Sequence, residues 1–109
     1  MSIGIIVRLQ IEWTHYWKDC DIEEVMFLKN EHRHIFYIDC AKEVNHWDRD
    51  IEIIQLKREI EKYLKYKYWE PCKFEWRSCE MIAQELVKEF DLSYCEVLED
   101  NENWAYIIN

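Results

Sequence analysis

The sequence predicts an α+β domain: a four-stranded antiparallel sheet in the order β-β-α-α-β-β, with two helices packed on one face. Three observations carry this prediction. Two long stretches near the start alternate apolar with polar residues, two stretches in the middle repeat apolar residues every three to four positions, and two short alternating stretches come last.

In the first stretch Ile3, Ile5, Val7, Leu9, Ile11 and Trp13 alternate with Gly4, Ile6, Arg8, Gln10 and Glu12, the period of a half-buried strand. His15 is the next residue on the apolar face. The second strand spans about residues 31–46, and its alternate positions His32, His34, Phe36, Ile38, Cys40 and Val44 share a face. If the two strands are antiparallel neighbours, the end of the first lies beside the start of the second, and His15, His32 and His34 meet. His46 shares that face but sits at the far end of its strand, away from the other three.

The polar cluster Asp48-Arg49-Asp50 leads into a helix with Ile53, Leu56, Ile60, Tyr63 and Leu64 on its buried stripe. A tyrosine-rich connection containing Pro71 follows. Ser78 then caps a second helix whose stripe is Cys79, Ile82, Ala83, Leu86, Val87 and Phe90. Residues 94–99 and 104–108 read as strands joined by the turn-rich Asp100-Asn101-Glu102-Asn103.

With one glycine, Gly4, and one proline, Pro71, no linker or repeat divides the 109 residues, so residues 1–109 read as a single domain. The five cysteines (Cys20, Cys40, Cys72, Cys79, Cys95) are odd in number and form no Cys-x-x-Cys pair, which fits reduced thiols. No leader pattern opens the sequence and no apolar run reaches the length of a membrane span, so the expectation is a cytoplasmic protein without a membrane partner. A net charge of −9 argues against a nucleic-acid polymer as partner, since phosphate backbones are bound through Lys and Arg. A small anion fits only if basic residues such as Arg33, Arg49, Lys57 and Arg58 gather locally.

Three neutral imidazoles that leave a fourth position to water or substrate match an open zinc site. The alternative is that His15 and His34 are partly buried histidines satisfied by hydrogen bonds.

Several features together resemble the 6-pyruvoyltetrahydropterin synthase and 6-carboxytetrahydropterin synthase family. They are the element order, His15 closing the first strand, His32-Arg33-His34 opening the second, and the segment from Ser78-Cys79-Glu80 through Glu99 to Trp104 and Tyr106. The resemblance implies the T-fold, assembled into ring-like homo-oligomers with sites between subunits. It implies zinc held by His15, His32 and His34. It also implies that Glu99 accepts hydrogen bonds from the adjacent ring N–H and amino groups of a pterin or purine, a bidentate geometry suited to a carboxylate. The bland alternative for Glu99 is a solvated acidic residue at a turn, and for Ser78-Cys79-Glu80 an ordinary helix start.

Three departures from the family stand out. The stretch Val25-Met26-Phe27-Leu28-Lys29-Asn30 holds no counterpart of the family's cysteine, and residues 64–77 hold no histidine for its Asp-His pair. Arg33 replaces the glycine between the zinc histidines and places a positive charge near the expected ligand. Proton transfer needs a group within hydrogen-bond reach of the substrate, so the family's mechanism lacks its parts here.

The leading expectation is therefore a catalytically reduced T-fold protein that binds a pterin-, purine- or nucleotide-like molecule at subunit interfaces. The chain also resembles small phage or mobile-element products, for which sequestering a host nucleotide signal is a fitting use. One alternative is a zinc-dependent synthase or lyase of the family's own type. Another is an interaction module that docks a macromolecule through Tyr63, Tyr66, Tyr68 and Trp69.

Overall fold

The computed structural model describes residues 1–68 and 73–109. Strands β1 (Ile3–His15) and β2 (His32–Val44) pair antiparallel without a break from Ile3↔Val44 to His15↔His32. Alternation then sends Val7, Leu9 and Trp13 of β1 and Phe36, Ile38 and Cys40 of β2 into one core. The chain between these strands carries a 3₁₀ segment, Glu23–Lys29, tied down by the Trp17 N–H donating to the Leu28 carbonyl at 2.7 Å.

Helix α1 (Ile53–Tyr68) buries Leu56, Ile60, Leu64 and Tyr68, a row spaced by four. Ile53, expected on that stripe, is half exposed in the first turn. Strand β3 (Lys73–Glu75) follows, and then helix α2 (Cys79–Phe90), whose first turn is capped as expected by Ser78 Oγ accepting from the Met81 N–H at 3.2 Å. Cys79, Ile82, Ala83, Leu86 and Val87 face the sheet. The helix ends at Asp91 in the left-handed region, with Lys42 Nζ donating to the carbonyls of Phe90 and Asp91. Strands β4 (Tyr94–Glu99) and β5 (Asn103–Ile108) close the sheet as a hairpin whose turn uses Asp100 and Asn101 at positive φ.

The architecture is α+β, with both helices contributing to one core on one face of the sheet. The sheet differs from expectation in having five strands, in the order β3-β1-β2-β4-β5, with β3 parallel to β1. Alternation over three residues carries too little signal to mark β3. Its placement comes from Phe74, which is fully buried against Trp13, Phe36 and Tyr68 with ring centroids 4.6 to 5.1 Å away.

Two other expectations change. Tyr68 is buried and Tyr63 partly so, each donating its hydroxyl to Glu85, so of the proposed docking aromatics Tyr66 alone stands free among the described residues. Trp69, Pro71 and Cys72 lie outside the described residues. Of the basic residues named above, Arg33 pairs with Glu12 and Arg49 with Asp48, while Lys57 and Arg58 belong to α1. Cys20, Cys40, Cys79 and Cys95 are free, buried thiols. Among the described residues no helix is long and apolar enough to cross a membrane.

Candidate metal centre

The unbroken register of the hairpin sets His15 opposite His32 and Trp13 opposite His34. The three rings lie edge to face with centroids 4.5, 4.9 and 5.2 Å apart, and His15 and His34 each make a T-shaped contact with buried Phe36. Their nitrogens come within 4.8 Å of one another, close enough to share one metal ion.

Each ring is oriented from behind by a different piece of chain. His15 Nδ1–H donates to the Arg77 carbonyl at 3.0 Å, which β3 brings into place: the Tyr16 N–H bonds the Glu75 carbonyl and the Arg77 N–H bonds the Phe74 carbonyl. His32 Nδ1–H donates to the Asn30 carbonyl at 2.8 Å. His34 Nδ1–H donates to Asp100 at 2.7 Å, while the other oxygen of Asp100 accepts from the Ile35 N–H. The His34 bond, and then the Ile35 amide, hold the Asp100 carboxyl below its usual range.

These partners fix the chemistry of the cluster. A carbonyl or carboxylate oxygen accepts only, so each Nδ1 carries a proton, and a ring with no second proton presents its Nε2 lone pair forward. Those three Nε2 atoms are buried without a hydrogen-bond partner, and they make up three of the four such side-chain atoms among the described residues. Burial, only partly offset by the Arg77 bond, holds the His15 pKa down and keeps its ring neutral. An orphaned buried acceptor costs about 1–3 kcal/mol, and three orphans aimed together answer the requirement of a bound cation. The donor set therefore fits a metal ion, with His15, His32 and His34 as the residues that would hold it.

Glu99 stands at the open side of the cluster. It ends β4 opposite Phe36, and its Oε1 and Oε2 lie 3.4 Å from His15 Nε2 and 3.5 Å from His34 Nε2. The carboxylate places negative charge beside the Nε2 atoms, which favours a cation there. Beside it opens a cavity of about 310 Å³, walled by Tyr16, Trp17, Leu28, Trp76 and Met81, with His15, His32, Cys79 and Glu99 also contributing.

No protein-family model matches the chain, and no curated protein matches it significantly. Of the residues singled out from the sequence, His15, His32, His34 and Glu99 come together. Arg33 does not: it projects from the opposite face of the sheet to His32 and His34, largely exposed and paired with Glu12, as the period of two requires of the residue between them. His46 lies exposed beside Asp50, past the end of β2. Sequence reasoning missed Cys79 as a neighbour of Glu99, and it missed the outer partners Arg77 and Asn30. Backbone carbonyls leave no mark in a sequence. Asp100 was legible only as a turn residue.

Proposed function

We propose that this chain is a divergent T-fold protein of the 6-pyruvoyltetrahydropterin synthase type that holds zinc through His15, His32 and His34 and binds a planar N-heterocycle, a pterin or purine, against Glu99. The observation that carries this reading is the set of three orphaned Nε2 atoms, each backed by an Nδ1 hydrogen bond. Zinc at that point supplies a Lewis acid with an open position. Glu99 accepts from the N–H edge of the heterocycle, and Trp17 and Trp76 offer flat apolar surface to its ring.

The heterocycle, rather than a phosphate, is what the cavity suits. Arg77 is the one basic side chain on its described lining apart from the histidines. Its guanidinium is already stacked over Trp76 and Tyr68 and lies 3.7 Å from Glu85. Glu80 and Glu99 add negative charge that repels phosphate. The family's cysteine and Asp-His pair have no counterparts in the sequence, which favours binding over turnover. Homo-oligomers are part of this reading, because the sheet has edges that neighbours can pair.

Native mass spectrometry of freshly isolated protein tests it. The expected result is an oligomer with about one zinc per subunit, retaining or taking up neopterin or guanine supplied as a probe. A metal-free monomer indifferent to both heterocycles defeats the reading.

A further inference from the structure

Cys79 is the first residue of α2, is 6% exposed, and places Sγ 3.3 Å from Oε1 of Glu99. Since a carboxylate can only accept, the thiol is the donor and carries its proton. The other described cysteines behave differently. Cys40 and Cys95 face each other at 3.9 Å, and Cys20 reaches the carbonyls of Ile22 and Val25. Cys79 alone among them bonds a carboxylate, and that carboxylate fronts the orphaned Nε2 atoms of His15 and His34.

The Glu99 carboxylate lies 3.4 Å from His15 Nε2 and 3.5 Å from His34 Nε2, and its side chain is one-third exposed. A hydrogen bond from the buried Cys79 thiol opposes rotation of that carboxylate toward water. We propose that Cys79 is a positioning residue of this site: its thiol keeps the Glu99 carboxylate at the open side of the histidine cluster, where it strengthens cation binding and presents Oε2 to the N–H groups of an N-heterocycle. The proposal rests on the metal-and-heterocycle reading above. Burial, and then the charge of Glu99, raise the Cys79 pKa well above that of an ordinary thiol, so the donor stays protonated at neutral pH.

The test uses the full chain with Co²⁺ as the probe metal and infrared spectroscopy of the metal-free protein. Cys79→Ala is expected to weaken Co²⁺ binding by about tenfold, the loss typical of an outer hydrogen bond, and to change the visible Co²⁺ bands, with Cys79→Ser restoring both to within about twofold. In the metal-free protein the S–H stretch of Cys79, isolated by subtracting the Cys79→Ala spectrum, is expected below the free-thiol position and to rise in Glu99→Ala. A Cys79→Ala protein with wild-type Co²⁺ affinity and spectrum overturns the proposal, as does an S–H band indifferent to Glu99→Ala. Wild-type protein that binds no Co²⁺ overturns the metal reading instead, and the infrared band still judges the Cys79–Glu99 bond.

Discussion

His15 and Asp39 are the two buried polar side chains among the described residues, 7% and 8% exposed, and they lie on opposite faces of the same hairpin. Asp39 is fully partnered. Arg8 grips it with two bonds, Nε at 2.6 Å and Nη2 at 2.7 Å, and the register continues the row from Arg8 through Asp39 and Glu96 to Tyr106 across four strands. His15 is half partnered: Nδ1 is bonded, while Nε2, like those of nearby His32 and His34, is buried without a hydrogen-bond partner. Similar burial on one scaffold thus gives two outcomes. A polar network that closes on itself is structural, and one whose open valences all converge is a place for something else to bind.

The sharpest way to break this contrast is to damage each network in turn. His34→Ala removes one of the three lone pairs and leaves exposed Asp100 to water, so zinc affinity should fall by at least about a hundredfold, past the range seen for outer-partner mutations, with little change in the metal-free melting temperature. Zinc titration and thermal melts of the apo protein check the two halves. Equal zinc content in His34→Ala and wild type would mean the cluster is structural after all.

Asp39→Ala should do the reverse, lowering Tm by about 5 °C and leaving zinc content intact. Hydrogen bonds from Arg8 hold the folded Asp39 carboxyl below its usual range. The stability it adds is therefore present above the ordinary carboxylate pKa and lost as pH falls through the depressed folded value. The Tm gap between the variant and wild type should narrow on that acid limb, and a gap that widens there contradicts the pairing.

How much of this contrast a sequence can hold depends on the range of the interaction. Strand parity is local, so the shared face of His32 and His34 and the place of His15 beyond Trp13 were legible, and the antiparallel register delivered their meeting. Parity also put Arg33 on the far side. The family pattern has a glycine near the ligand where this chain has Arg33, and the structure sets Arg33 on the face opposite His32 and His34, paired with Glu12. Glu99 was legible only through the family resemblance, because its nearness to His15 and His34 crosses strands far apart in sequence. Strand β3 and the Arg77 carbonyl were not legible. Three residues set no period, and their position follows from the burial of Phe74 in a core assembled from distant segments.

The smallest effect comes from the closed network itself, and it has a definite sign. Protonated Glu96 can donate to its cross-strand neighbour Asp39, and that interaction, with burial second, raises the Glu96 pKa above the usual carboxylate value, although Tyr94 donates to Glu96 at 2.9 Å and pulls the other way. A folded pKa raised above the unfolded one adds stability that is complete below the unfolded value and disappears as pH rises through the folded value. Once that proton is lost, Glu96 stands ionised beside Asp39. Glu96→Gln keeps an N–H for Asp39 and an oxygen for the Tyr94 hydroxyl, and it has no proton to lose. It should melt about 2 °C above wild type at pH 7, with the gap closing toward pH 4, and its zinc content should not move. Paired melts across that range decide it: a gap that grows on acidification would show that Glu96 is held ionised by Arg8, and that the row on the open face closes through charge alone.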